Sequence, residues 1–387
     1  MKKIWRRLGL FLVFFVLVLC ALCPVASCEE ESVGITEEMP DEYFGFLDGI
    51  SEEIKEHLPA ELFDKNSQSV ADGVRQMSDV SYLLQTLLSM IGLRLGDCAA
   101  ALATIAGLLI LSSICRSLRT SFGQESLGKA FSLCSTLVIL LSLLSQCNGI
   151  LERTVAYFDQ LHSLTSASLP IMGALYAMGG NVGTAVASSV GLSAYMTLLE
   201  AFVSKSILPF CGFCMAFALL GAIDPSLRLG SLSGTLKKNY TTALAFLMML
   251  LLAMLGAQTT LAARSDTLAM RSAKFAAGNL IPVVGGSVSE LLRSVSAGVS
   301  YLRGTVGICG VLILLLTLLP TLIELLLFRL TWQIAASLAD MLGCESERRL
   351  LDEFASLLGF LIAAVSICSS VLLLSMTLLA HCASAIG

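Results

Sequence analysis

Residues 304–327 read GTVGICGVLILLLTLLPTLIELLL, and this stretch decides the fold because Glu324 is its only charged residue. A helix rises about 1.5 Å per residue, and the hydrocarbon core of a bilayer is roughly 30 Å thick. A stretch of this length and apolarity therefore predicts a helix that spans a membrane.

Outward from this stretch, the same pattern recurs along the chain. Five further segments are long and apolar enough to span: 97–115, 130–151, 206–223, 241–262 and 354–380. Region 161–203 is weaker, rich in Gly, Ala and Ser and interrupted at Gly179-Gly180-Asn181, so it predicts either two short spans or one re-entrant hairpin. We expect residues 96–387 to form an all-α, polytopic membrane domain of six to eight transmembrane helices with broken or re-entrant segments.

The composition of the whole chain agrees with this class. Of 387 residues, 56% are hydrophobic and only 14% are charged, and the mean hydropathy is +0.84. A soluble domain carries about a quarter charged residues. The net charge is -5 and no basic cluster appears, which argues against nucleic acid as a partner. The expected surroundings are a lipid bilayer.

The first 28 residues have the layout of a secretory signal peptide. A basic start containing Lys2, Lys3, Arg6 and Arg7 precedes an apolar run from Leu8 to Leu22. Retention of this run as a membrane anchor is the alternative. The sequence VASC at 25–28 resembles a bacterial lipobox, which would lipidate Cys28, but it also suits an ordinary signal peptidase.

Residues 29–95 are expected to form an acidic, extracytoplasmic helical segment. Residues 29–79 are mostly acidic in their charges, and a segment that follows a signal peptide lies outside the cytoplasm. From Tyr82 to Leu95, apolar residues recur every three or four positions, which predicts an amphipathic helix on the membrane surface or capping the bundle.

The basic residues of the connectors fit this orientation, with one exception. If residue 79 is outside and region 161–203 crosses twice, the connectors that carry Arg116, Lys237 and Arg348 fall in the cytoplasm. The connector 264–303 would then lie outside although it is basic. We expect much of it to be embedded at the membrane surface or folded back into the bundle.

A turn-like phrase, GNLIPVVGGSVSE, occupies residues 278–290 between two apolar regions. Proline interrupts the hydrogen bonding of a helix and glycine permits unusual backbone angles, so the chain is expected to leave helical geometry between Asn279 and Gly286. The phrase is either an interfacial loop or a re-entrant element. Its candidate motif and assembly residues are Gly278, Asn279, Pro282, Gly285 and Gly286.

This phrase, preceded by Lys274-Phe275-Ala276, resembles the stage III sporulation protein AE family. The resemblance implies an integral membrane protein in the mother-cell membrane that surrounds the engulfed forespore. It also implies a non-enzymatic role in a multiprotein channel or secretion-like apparatus that links the two compartments and is needed for spore development. Its implied partners are ring-forming and other membrane proteins of that apparatus and a cytoplasmic ATPase.

Three polar residues in apolar surroundings are further candidates: Glu200, Glu324 and Asn181. An ionisable group at membrane depth is costly and indicates a functional site by default. Each acid either pairs near a helix end or faces a pore. A secondary permease that binds a small solute at broken helices near Asn181 and Asn279 is therefore the alternative function.

Nothing in the sequence predicts an enzyme. Cys211 and Cys214 have redox spacing but lie in an apolar run, and His57, His162 and His381 are too scattered for a metal site. No nucleophile stands beside a base and no phosphate-binding glycine motif occurs. We expect no catalytic residue, no metal and no cofactor.

Overall fold

A computed structural model describes residues 38–50, 52–56, 58–122, 125–223, 229–280 and 285–381. Within these residues the structure contains helices and no strand, and a single bridge pairs Glu38 with Asn66. The predicted all-α class is therefore confirmed. The predicted signal peptide at 1–28, with Cys28, lies outside the described residues.

The acidic segment folds into short helices. Helix α1 is Asp41–Asp48, α2 is Glu52–Lys55, a 3₁₀ turn spans Ala60–Phe63, and α3 is Ser67–Ser78. Proline directly precedes α1 and the 3₁₀ turn, where a missing N–H costs nothing. The side chain of Asn66 accepts a hydrogen bond from the backbone of Gln68 and so caps α3.

Long helices form the rest of the described chain. They are α4 (Val80–Phe122), α5 (Glu125–Met178), α6 (Val182–Phe202), α7 (Leu208–Ile223), α8 (Leu229–Leu280), α9 (Gly285–Met341) and α10 (Glu345–His381). A π-helical turn, Val203–Ile207, joins α6 to α7. Six of the described helices are long and apolar enough to cross a membrane, and the segment Lys205–Gly221 is apolar but shorter.

Three helices are much longer than a bilayer requires. Helices α5, α8 and α9 contain 54, 52 and 57 residues. At about 1.5 Å per residue, each is roughly 80 Å long, against a hydrocarbon core of about 30 Å. A large part of each helix therefore extends beyond the apolar layer.

The structure merges several elements that the sequence pattern separated. The amphipathic stretch 82–95 is not a separate surface helix, because it continues without interruption into span 97–115 within α4, and the domain boundary at 95/96 falls inside this helix. Likewise 130–151 and 161–178 belong to one helix, α5. Connector 264–303 is mostly helical as well, since α8 extends to Leu280 and α9 begins at Gly285.

Helices α9 and α10 form the centre of the bundle. In their most apolar windows 78% and 67% of the residues are buried, compared with 22% for α4 and 17% for α8. Helix α10 packs on α5, α7, α8 and α9, while α6 pairs with α5 and α8. The helices at the periphery therefore present wide apolar faces to their surroundings.

The acidic segment is part of the same core. Tyr43 is fully buried, and its hydroxyl donates a hydrogen bond to the carbonyl of Leu62 at 3.1 Å and lies 3.6 Å from Sγ of Cys309 in α9. Burial raises the pKa of the Tyr43 hydroxyl. Gly49 lies against Ala167 of α5. The segment is thus docked on the C-terminal half of α5 and the middle of α9.

Candidate functional site

A half-buried ion pair joins α5 to α9. One carboxylate oxygen of Glu324 accepts a hydrogen bond from Nε of Arg153 at 2.5 Å, and Nη2 of the same guanidinium also lies 2.5 Å from that oxygen. The Glu324 side chain is only 6% exposed, whereas that of Arg153 is 47% exposed. Of the two interpretations of Glu324, pairing near a helix end or facing a pore, the structure therefore favours pairing. Its partner comes from another helix.

A small polar cavity of about 120 Å³ adjoins this pair. Its wall includes Arg94 of α4, Arg153, Glu324, Pro320 and, from the acidic segment, Ile54. Pro320 lies inside α9, where it cannot donate a backbone hydrogen bond and so leaves a carbonyl one turn earlier without its usual helical partner. The acidic segment and the long helices α4, α5 and α9 thus meet at this cavity.

Further polar contacts tie the same helices together. The hydroxyls of Tyr157 in α5 and Ser369 in α10 are 2.5 Å apart, and Nε1 of Trp332 donates a hydrogen bond to Oε1 of Gln146 at 3.3 Å. Side-chain hydrogen bonds between helices are worth of order 0.6 kcal/mol each in a membrane protein. Together with the ion pair, these hydrogen bonds fix the register of α5 against α9 and α10.

The predicted break at 179–181 is a tight turn between α5 and α6. Gly180 has a φ of +73°, which glycine adopts without strain. The N–H of Gly180 donates to the carbonyl of Ala177 at 3.0 Å, and the N–H of Asn181 donates to that of Tyr176 at 2.8 Å, which is a typical C-terminal helix cap. Asn181 is 1% exposed and its carbonyl accepts from the first turn of α6.

Asp266 of α8 caps the start of α6. Its carboxylate accepts hydrogen bonds from the backbone N–H of Gly183 at 3.1 Å, and from the N–H and hydroxyl of Thr184 at 2.9 and 3.0 Å. An ideal Cβ on Gly183 would lie 2.8 Å from this carboxylate, so glycine makes room for it. The negative charge also complements the positive end of the helix dipole.

Arg303 of α9 caps the end of α5 from the other side. It is 0% exposed, its Nη2 donates to the carbonyl of Leu175 at 3.1 Å, and its guanidinium lies 5.2 Å from the centre of the Tyr176 ring. A Cβ on Gly179 would collide with the guanidinium. An anion and a cation thus hold the two sides of the turn, and we call Asp266 and Arg303 the turn clamp.

The phrase at 278–290 separates two helices, as its pattern predicts. Helix α8 ends at Leu280 and α9 begins at Gly285, so the backbone at Gly278 and Asn279 is still helical and the predicted departure at Asn279 begins later than expected. Gly285 and Gly286 form the first turn of α9. Residues 281–284, including Pro282, and the side chains of this phrase lie outside what the structure describes.

Glu200 lies near the end of α6, just before the π-helical turn Val203–Ile207. Its side chain is outside the described part. Pro209 follows the turn, and because proline cannot donate to the preceding turn, it accounts for the local widening of the helix. Asn181 and Glu200 are at opposite ends of α6, so the structure does not bring them together.

No group of three or more His, Cys, Asp or Glu side chains in the described part of the chain could hold a metal ion. Cys211 and Cys214 are buried, unbridged thiols in α7.

Sequence reasoning found Glu324 and Asn181 but missed Arg153 and Asp266. Arg153 is the first base after the apolar run 130–151, which is the position of a helix-end anchor rather than of an interhelical partner. Asp266 lies two residues after the base Arg264, and this local pattern indicates a solvated helix face. Arg303 is the last residue of the basic connector 264–303, and the structure buries its side chain.

Six helices of membrane length, two of them joined by the ion pair between Arg153 and Glu324, are typical of a multi-pass helical membrane protein. The chain belongs to the stage III sporulation protein AE family, whose sequence model matches residues 64–383. It is 26% identical over 279 residues to Stage III sporulation protein AE of Bacillus subtilis (strain 168), which covers 72% of this chain and 70% of that protein. No solved structure matches. The membership confirms the resemblance and supports a role in sporulation.

Proposed function

We propose that this chain is a non-enzymatic membrane component of a multiprotein apparatus that links mother cell and forespore during sporulation. It acts by assembly, with ring-forming membrane proteins and a cytoplasmic ATPase as partners. In this proposal it lies in the mother-cell membrane around the forespore, with the acidic segment on the extracytoplasmic side.

The observation that carries the proposal is the state of Glu324. If Glu324 were the site residue of a permease, its carboxylate would have to face a cavity of solute size, and small-molecule sites are typically about 300 Å³ or more. Glu324 is instead held by Arg153 beside a cavity of about 120 Å³. An ion pair of this kind supports a scaffold more than a permease.

The exposed apolar faces supply surface for assembly. Helix α6 carries Val182, Val186 and Val190, which are 61%, 60% and 54% exposed and four residues apart, so they form one stripe. Helix α8 carries another stripe that includes Leu250 and Met254, both 58% exposed. Each stripe faces either lipid or a partner.

Tryptophan substitution distinguishes these cases, since lipid accepts a larger apolar side chain while a packed interface does not. We would make Val186→Trp with Val190→Trp on α6, and Leu250→Trp with Met254→Trp on α8, and compare both with Glu324→Gln. The assays are spore formation and recovery of the complex from sporulating cells. If the chain acts as a scaffold, at least one of the two tryptophan pairs should reduce recovery of the complex, while the purified variant keeps the thermal stability of the wild type.

The permease alternative makes the opposite prediction. It requires Glu324 individually, so Glu324→Gln would abolish spore formation while both tryptophan pairs leave spore formation intact. That combination would overturn the proposed function.

A further inference from the structure

Two neighbouring helices, α6 and α8, carry apolar side chains that the described part of the chain leaves uncovered. Val182, Val186 and Val190 of α6 are 61%, 60% and 54% exposed, and Leu250 and Met254 of α8 are both 58% exposed. We call these five side chains the α6–α8 face. An exposed apolar surface of this kind marks a contact with a membrane or with protein.

The α6–α8 face is long and uncharged. Neither residues 182–199 of α6 nor residues 239–263 of α8 contain a charged side chain. The two helices are in direct contact, because an ideal Cβ on Gly191 would lie 2.5 Å from Leu255. Two adjacent helix surfaces, each about 10 Å wide and about 30 Å long, amount to roughly 600 Å². Two such faces together bury about 1,200 Å², the lower end of the range for a stable protein interface.

The acidic segment is docked on another side of the bundle, on α5 and α9. The hydroxyl of Ser163 in α5 donates a hydrogen bond to the carbonyl of Gly49 at 3.4 Å, and an ideal Cβ on Gly49 would lie 3.1 Å from Ala167. Ten acidic side chains between residues 38 and 79 are exposed, among them Asp48 beside this contact. Water is therefore the surrounding that suits the acidic segment.

Helix pairing places the α6–α8 face at the same height along the bundle as this contact. Helices α5 and α6 run antiparallel from the tight turn at Gly180, so Ala167 is level with Ser193, which is equally far from the turn. Two residues before Ser193, Gly191 lies against Leu255 of α8. The bundle is thus acidic on one side and apolar on another at a single height.

This height lies beyond the predicted span of α5. Ser163 is twelve residues past Leu151, the last residue of the apolar stretch 130–151, which is roughly 18 Å at the helical rise per residue. A bilayer that reached this height would also surround the acidic segment, and carboxylates at membrane depth are costly. Lipid is therefore a poor cover for the α6–α8 face, and protein is a better one.

We propose that the α6–α8 face is the contact between two copies of this chain. A partner needs an apolar surface at the same height above the membrane, and a second copy in the same membrane has one without any further condition. A two-fold axis along the membrane normal brings the two identical faces together. It also keeps the two acidic segments apart on the far sides of the dimer, so like charges do not meet.

Photo-crosslinking of the full chain in membranes tests this contact. Two differently tagged forms are made together in a host that lacks other sporulation proteins, with p-benzoylphenylalanine in place of Val186 or Leu250. We expect irradiation at either position to give a product that contains both tags. Because no other sporulation protein is present, the result does not depend on the proposed function.

The matched control is the same photoreactive residue at Leu141 of α5, which is 65% exposed but lies within the stretch 130–151. It should give little of the doubly tagged product. Val186→Trp should reduce the product formed from position 250 roughly tenfold, because a packed interface does not accept a larger side chain, whereas Leu141→Trp should leave it unchanged.

Three results would each overturn the proposal. They are absence of the doubly tagged product at Val186 or at Leu250, an equal yield at Leu141, and an unchanged yield in Val186→Trp. Products that join the chain only to lipid or only to a different protein count as absence.

Discussion

Removal of the Asp266 carboxylate should release the start of α6 from α8. In Asp266→Ala, the first turn of α6 loses three hydrogen bonds to a charged acceptor, of which the two to Thr184 are buried with that residue. Loss of a helix cap costs about 1–2 kcal/mol, and hydrogen bonds to charged groups lie at the upper end of the usual range. We therefore expect the local opening of this turn to become easier by about 2 kcal/mol.

Hydrogen exchange measured by mass spectrometry in detergent reports this local opening directly. A change of about 2 kcal/mol corresponds to roughly 30-fold faster exchange in the first two turns of α6, since 1.4 kcal/mol is a factor of ten. Helices α9 and α10 should keep their protection. Asp266→Asn retains an acceptor oxygen and should show a smaller effect.

The matched control is Asp72→Ala, which removes an exposed acid, 71% accessible, from α3. It should leave exchange in α6 unchanged. If Asp266→Ala also leaves the first turn of α6 within about threefold of the wild type, the turn clamp does not hold this helix and the reasoning is wrong.

Three other substitutions test separate parts of the structure. Glu324→Ala should lower stability by about 1–2 kcal/mol in thermal denaturation, which is less than the 3–5 kcal/mol expected for a fully buried pair because Arg153 is 47% exposed. Glu324→Gln should lose less stability than Glu324→Ala. Equal stability of the wild type and both variants would contradict the pairing. Gly191→Leu should cost about 1–3 kcal/mol, since even a Cβ there would lie 2.5 Å from a leucine of α8, whereas Gly173→Leu, with nothing within 4 Å, should cost little. Hydrogen bonds from the hydroxyl and the backbone N–H of Ser81 lower the pKa of Asp79 below 3.8. The contribution of Asp79 to stability is therefore present above that pH and lost as the pH falls through the folded value. Asp79→Asn should flatten this part of the stability profile, and an unchanged profile would refute the role of these hydrogen bonds.

The class of fold was predictable because the hydrophobic effect and the bilayer thickness act on composition and segment length. Runs such as 304–327 and 354–380 can hardly be anything but membrane-length helices, and the structure places both at the centre of the bundle. The tight turn at Gly179–Asn181 was equally visible, since Gly-Gly-Asn permits the backbone angles that a helix end requires.

Helix lengths were less predictable, because hydropathy marks where lipid can be and not where a helix ends. Between 151 and 161, charged residues interrupt the apolar run, but none of them is a helix breaker. Helix α5 therefore continues through them, stabilised by its contacts with α9 and α10. The same reason explains why the amphipathic stretch before residue 97 is part of α4.

The polar contacts between helices could not be read from the chain. Arg153 and Glu324 are 171 positions apart, and Asp266 reaches Gly183 across 83 positions. No local pattern records such a pairing, because it depends on the relative rotation and register of packed helices. The signal that was present is the cost of a charge in apolar surroundings, which singles out Glu324 without naming its partner.

The central claim is that the chain acts by assembly with other proteins. The most direct measurement is affinity purification in mild detergent from sporulating cells of the organism that encodes it, through a tag on the C-terminus, with mass spectrometry of the copurifying proteins. The account predicts that ring-forming membrane proteins and an ATPase copurify in fixed proportion. Recovery of the chain alone, as a compact monomer or dimer, would contradict it.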